Sequence, residues 1–334
     1  MNYKYYLVRT DNMDVKLMGL SSEEWLMREF PQAERVSLSE VGKLLASSGN
    51  VIIYDDTPLL RRKDVERIVE EAEIRGLDAV ELKRMSITGS GKPVRLDMAD
   101  EALTRLTPLT LPGIVNSLKE EILLGHMQNG VIIYDKATTF IDAETVIGSG
   151  TVIKPFNVLE GKCVIGKNVV LSPRNTLTDT IVKDGSSLIG MVATEAVIGE
   201  NCKLGPYSYL RPGTVIADGC KVGDFVEIKN SNIGPGTKVP HLSYVGDADV
   251  GGGVNIGCGV IVANYDGKKK HRTTIKDKSF IGSNTTLIAP VTVGETSFIA
   301  AGSTVAHGVP DGSFVIARSM EVVKPEKGRK YLEK

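Results

Sequence analysis

From about residue 131 onward, one aliphatic residue returns at every sixth position. Written from Cys202, the hexads "CKLGPY SYLRPG TVIADG CKVGDF VEIKNS" carry Leu204, Leu210, Ile216, Val222 and Ile228 in third place. Written from Thr273, "TTIKDK SFIGSN TTLIAP VTVGET SFIAAG STVAHG" carries Ile275, Ile281, Leu287, Val293, Ile299 and Val305. An earlier block gives Ile147, Ile153, Leu159, Ile165, Leu171 and Leu177. A period of six fits neither a helix nor a hairpin strand. It fits a parallel β-helix, in which each hexad is one short strand and turn and three hexads close a triangular coil. Such coils bury their interior only by stacking, and the hexads suffice for about nine or ten of them. The block from Ile181 to Glu200 slips register. Residues 262–272, "VANYDGKKKHR", exceed one hexad and are expected to loop out on one face. The repeat does not show the hand of the coil, and the general crossover rule favours a right-handed one.

Residues 1–128 follow a different grammar. Val51 to Tyr54 form a β-branched run before Asp55, Asp56 and Pro58. An amphipathic helix is expected from Asp64 to Arg75, stopped by Gly76, and "DAVELK" reads as a second strand, which makes a βαβ unit. Ser21 with Glu24, and Ser37 with Glu40, read as capping boxes. "GIVNSLKEEILLGHMQNG" reads as one helix joining the halves. The expected domains are therefore residues 1–128, α/β, and residues 129–334, all-β.

Composition excludes several classes. Lys and Arg number 40 against 41 Asp and Glu, so no global polycation for nucleic acid is indicated. No apolar run reaches membrane-spanning length, and the first residues hold no secretory apolar core, so a cytoplasmic protein is expected. The four cysteines have no CxxC spacing and read as reduced, small apolar rung residues. Aromatics are scarce at 5%, while glycines number 35, which suits tight corners.

The repeat breaks at "VPHLSYVGDADVGGGVNIGCG", residues 239–259, to admit His241. A corner histidine is accessible and titrates near neutrality, as a general base requires. Cations gather within the same few coils: Arg211, Lys229 and Lys270, with Lys268, Lys269 and Arg272 nearby. A phosphate dianion needs such donors. Arg211 and Lys229 lie three hexads apart, one full coil, and are expected to stack. Tyr244 and Asn255 offer polar groups to sugar hydroxyls. Glu227, on the strand of Lys229, is expected to orient the imidazole of His241. No serine or cysteine occupies a nucleophile motif, so the implied chemistry is direct transfer.

At these residues the chain resembles the acetyltransferase domain of the bifunctional bacterial GlmU family, which acetylates glucosamine-1-phosphate and uridylylates the product. The likeness runs from about Met127 to Arg318 and is specific at "HLSYVGDA", "NYDG", "IGSNT" and "APVTVG". The resemblance implies a left-handed parallel β-helix, a homotrimer with sites between subunits, and acetyl-CoA as donor. By motif it makes His241 the base, and assigns Arg211, Lys229, Tyr244, Asn255 and Lys270 to the sugar phosphate. Asn264 and Tyr265 match residues shared by substrate and acetyl-CoA. Cys258, Ser283, Ala301 and Arg318 match the acetyl-CoA path, and the basic tail "KPEKGRKYLEK" is a further source of cations for the CoA phosphates. Cys258 stands where the family usually has alanine, and Pro240 before the histidine is unusual.

The N-terminal half departs further. The family's phosphate loop, of the type LAAGxGTRM, has no counterpart: Gly19 is the only glycine before Gly42. "VIIYDDTPLL" resembles the strand that carries a metal-binding aspartate, here Asp56, although a structural turn is the preferred reading and Mg2+ is not expected. The half reads as a shrunken nucleotidyltransferase relic. The expected activity is acetylation of an amino-sugar 1-phosphate, glucosamine-1-phosphate first, in UDP-N-acetylglucosamine precursor synthesis, with neither nucleic acid nor membrane as partner. Retained nucleotidyl transfer, or a non-catalytic sugar-nucleotide-binding regulator, are the alternatives.

Overall fold

The computed structural model describes residues 3–10, 15–77, 79–82, 84–90, 93–95, 103–325 and 327–328. Two compact units emerge. One comprises Met1–Asn129 with Phe140–Thr145 and Leu159–Gly161; the other comprises Gly130–Thr139, Val146–Val158 and Lys162–Lys334.

The first unit contains a six-stranded sheet. Its strands are β1 (Lys4–Arg9), β2 (Glu34–Ser37), β3 (Asn50–Tyr54), β4 (Val80–Leu82), β5 (Met85–Thr88) and β6 (Val94–Arg95), in the order β2-β1-β3-β5-β4-β6. β1 pairs in parallel with both β2 and β3, whereas β5 is antiparallel to β3 and β4. The expected βαβ unit is thus split: β3, helix α1 (Arg62–Ile74) and β4 follow in order, but β5 inserts between the two strands. β4 and β5 pair antiparallel, with Leu82 opposite Met85. Asp78 and Lys83 of "DAVELK" lie outside the described residues. Val65, Ile68 and Ala72 turn the apolar stripe of α1 onto Val51, Ile53 and Leu82. Both capping boxes form: Glu24 accepts from the backbone of Ser21, and Glu40 from that of Ser37, each at 2.7 Å.

The second unit is a parallel β-helix whose three faces carry eleven, ten and nine strands. Face 1 runs from Ile132–Ile133 to Phe314–Val315, face 2 ends at Thr304–Val305, and face 3 ends at Thr292–Val293. Every strand pairs with the strand one coil away, as in Val152↔Val170 or Leu210↔Ile228. The aliphatic residues of the six-residue repeat point inward and are buried. Serine, threonine and asparagine at the corners link successive coils. Asn175 Nδ2, for example, donates to Asn157 Oδ1 at 2.8 Å, and Thr237 Oγ1 donates to Gly251 O at 2.7 Å.

The register slip has a local cause. Between faces 2 and 3, Leu177 to Val182, Ala193 to Ile198, Ile228 to Ile233 and Val245 to Val250 are steps of five rather than six. At each short corner one residue takes the left-handed conformation: Asp179, Glu195, Asn230 and Asp247, with φ of 46–51°. Aspartate and asparagine tolerate that region best. Each such corner shortens its coil by one residue, and where Leu188 to Ala193 adds a second five-residue step the coil is 16 residues long.

Candidate functional site

Stacking of the coils brings together polar side chains that the linear sequence separates. On face 2, Leu210 and Tyr209 pair with Ile228 and Glu227, so Arg211 sits directly below Lys229. Glu227 and Lys229 pair in turn with Tyr244 and Gly246. Arg211 Nη1 donates to Glu227 Oε1 at 2.8 Å, and this carboxylate raises the guanidinium above its usual range.

The extruded loop closes over the same edge. It lies between the strands Ile261–Ala263 and Thr273–Ile275. His271 N donates to Asn264 O at 2.8 Å, and Tyr265 bridges Lys270. The Asp266 carboxylate fills the turn, accepting the amides of Lys268 and Lys269 at 2.8 Å each and His271 Nε2 at 2.6 Å. Those bonds, the backbone ones first, lower the Asp266 carboxyl to about 2. The loop thereby carries Lys270 beside Lys229, whose ammonium is pushed below the usual lysine range by Lys270, by partial desolvation and by Arg211. Asp247, 7% exposed, counterbalances them. It accepts Asn230 Nδ2 at 2.6 Å and also Asn264 Nδ2, which lies 3.4 Å from the Tyr244 hydroxyl. Arg211, Glu227, Lys229, Tyr244, Asn264 and Lys270 thus share one edge, rich in cations and hydrogen-bond donors, fit to hold a phosphate ester.

His241 ends the strand Lys238–His241 of face 1, at the corner that leads into face 2 and away from the edge that bears Arg211 and Lys229. Its register partner is Asp224, and its Nδ1 lies 2.6 Å from Asp224 Oδ1. Glu227 does not orient this imidazole within the chain: it faces Tyr244 across the ladder and is engaged by Arg211. Pro240 seats tightly, for its carbonyl lies where only Gly223 leaves room; a Cβ there would come within 1.8 Å.

Above His241 the same edge continues through Cys258, Ser283, Ala301 and Arg318. Asn284 N donates to Cys258 O and Gly302 N to Ser283 O, both at 2.8 Å, and Arg318 Cδ packs over Gly302. A long thin cofactor would meet these four residues in chain order. Asn255 lies elsewhere: it pairs with Lys238 and Phe280 on face 1. The single chain therefore does not bring Asn255 to the cations, nor His241 to the cation edge. Most of the basic tail, residues 326 and 329–334, lies outside the described residues.

In the first unit, Asp56 is 1% exposed. Arg84 Nε donates to it at 2.9 Å, and Arg105 Nε stands 2.9 Å from its other oxygen. Both carboxylate oxygens are thus engaged by guanidinium groups, a structural role in keeping with the preferred reading of Asp56. Cys163, Cys202 and Cys220 are buried in the rungs, while Cys258 is half-exposed. Among the described residues no helix is long and apolar enough to cross a membrane.

The solenoid carries the hexapeptide repeat: the family described as bacterial transferase hexapeptide (six repeats) matches residues 144–179 and 195–230. The chain is similar to proteins named "Bifunctional protein GlmU". It is 47% identical over 220 residues to "Bifunctional protein GlmU" of Brevibacillus brevis, covering 64% of this chain and 48% of that one. The protein of the same name from Desulfitobacterium hafniense is 51% identical over 203 residues, 61% of this chain and 45% of that one. Its namesake from Carboxydothermus hydrogenoformans is 52% identical over 200 residues, covering 60% and 45%. The chain spans about half the length of the curated relatives it matches.

Proposed function

We propose that the chain transfers the acetyl group of acetyl-CoA to the amine of an amino-sugar 1-phosphate, glucosamine-1-phosphate first among them. The reading rests above all on the juxtaposition of Arg211, Lys229 and Lys270 on one edge of face 2, three cations suited to a phosphate dianion. Tyr244 and Asn264 supply hydroxyl and amide partners for the sugar at the same edge.

His241 acts as general base. Its imidazole takes the proton that the amine nitrogen loses while attacking the thioester carbonyl. The proton then leaves with the thiolate of coenzyme A. The cofactor runs along Cys258, Ser283, Ala301 and Arg318, which climb the edge above His241. Since the cations and the imidazole occupy opposite edges of face 2, the complete site forms between copies. One subunit's cations meet another's imidazole and Asn255 in a homotrimer, as the likeness to GlmU suggests. The product would enter UDP-N-acetylglucosamine synthesis.

The test is release of free thiol from acetyl-CoA with hexosamine 1-phosphates, alongside unphosphorylated hexosamines. Turnover with glucosamine-1-phosphate and none without the phosphate is expected. No thiol release with any hexosamine 1-phosphate would refute the reading.

A further inference from the structure

Asp224 and His241 stand 17 residues apart, one short coil, and this offset makes them register partners on face 1. The Nδ1–Oδ1 distance of 2.6 Å is that of a charge-assisted hydrogen bond. An ionised carboxylate only accepts hydrogen bonds, so the proton of this bond resides on the imidazole. The ring nitrogen that bears the proton is set by the partner of the other nitrogen. Among the described residues Nε2 has no partner.

We propose that Asp224 is the positioning residue of His241: it holds the ring in its Nδ1–H form and leaves Nε2 as the free base. This assignment rests on the acetyl-transfer reading above.

The surroundings favour an ionised Asp224. The imidazole, as hydrogen-bond partner, holds the carboxyl below its usual range, and Lys221 on the same strand adds to the effect. Lys238 lies three residues earlier on the imidazole's own strand, and Cys258 stands at the corresponding corner of the coil above. The coil below presents Tyr207, which is stacked on Phe225 at 5.5 Å. The nearest other carboxylate on the adjoining strand, Glu227, is held by Arg211. Asp224 is thus the one acid among the described residues hydrogen-bonded to the imidazole.

In the reaction the N–C bond forms at the thioester carbonyl as Nε2 accepts the amine proton. The C–S bond then breaks, and Nε2 returns that proton to the departing thiolate. Asp224 remains ionised and Nδ1 keeps its own proton throughout. The carboxylate stabilises the transient imidazolium without exchanging a proton with substrate.

Two measurements on the full chain test this. The first reads the ring directly, by nitrogen-15 shifts of labelled histidine at a pH where the ring is neutral. Wild type should carry its proton on Nδ1, and Asp224→Ala should move the population toward Nε2. A wild-type ring protonated on Nε2, or an unchanged tautomer in the variant, overturns the proposal. The second measurement is kinetic. Asp224→Ala should lower kcat roughly tenfold to a hundredfold, short of the 10²–10⁴ ascribed to a whole general base. KM for both substrates should stay within about twofold, and Asp224→Asn, whose amide oxygen can still accept from Nδ1, should recover part of the rate. An unchanged kcat, or an equal loss in KM, overturns it. If wild type releases no coenzyme A, the acetyl-transfer reading falls, while the tautomer measurement still decides the pairing.

Discussion

Lys270, carried on the one long loop of the solenoid, stands beside Lys229 on a rung below, and this contact pushes the Lys229 ammonium below the usual lysine range. Two ammonium groups brought together without an anion repel each other, and a phosphate dianion between them removes the repulsion. The pair is therefore poised for an anionic ligand.

Replacing Lys229 by alanine should raise KM for the sugar phosphate on the order of tenfold, the worth of one charge-assisted contact of about 1.5 kcal/mol. The pH dependence has a definite sign. Because Lys229 loses its proton earlier than an ordinary lysine, KM should begin to rise on the alkaline side. In Lys270→Met that rise should move to higher pH. Initial rates across an alkaline pH series check both.

Replacing His241 by alanine should lower kcat by about 10²–10⁴-fold with little change in KM. The side chain is 53% exposed, so the thermal midpoint should stay near that of wild type. Steady-state kinetics beside a melting curve separates chemistry from folding.

The clasp of Asp266 on His271 and on two backbone amides should fix the loop that bears Lys270. The folded carboxyl lies at about 2, below the ordinary 3.8, so the clasp is fully formed above pH 3.8 and is lost as pH falls through about 2. Hydrogen exchange of residues 265–271 should accelerate over that interval while the rungs stay protected. At neutral pH, His271→Phe should raise KM for the sugar phosphate severalfold and leave kcat unchanged.

Gly223→Ala places a methyl group against the Pro240 carbonyl, where neither backbone can yield freely. The expected cost is about 1–3 kcal/mol of stability. Because the strain falls between the rungs of Asp224 and His241, activity should fall further than the thermal midpoint suggests.

Most of the solenoid was legible because its signal is steric and periodic: a residue such as Ile228 must be aliphatic wherever it falls inside a coil. The pairing of Arg211 with Lys229 followed from the same arithmetic. Asp224 was missed because three full hexads were assumed for every coil. The five-residue corner at Asn230 shortens this one by a residue and brings Asp224, rather than Gly223, into register with His241. Asp247 escaped notice because its role depends on amides from Asn230 and Asn264, 17 residues to either side. In the N-terminal unit, capping boxes are local and were read correctly. The insertion of β5 between β3 and β4 is a long-range pairing, and nothing in the local pattern announces it. Arg84 and Arg105 could not be tied to Asp56 for the same reason.

Each rung of the solenoid touches only its neighbours, and His241 sits on the fifth strand of face 1 from one end and the seventh from the other. Fraying that starts at either terminus must melt several rungs before it reaches the imidazole. Erosion of the N-terminal coils on mild heating should therefore leave turnover intact, whereas erosion of the C-terminal coils first strips Arg318 and Ala301 from the proposed acetyl-CoA path, so the two ends of the column would part company as the temperature climbs.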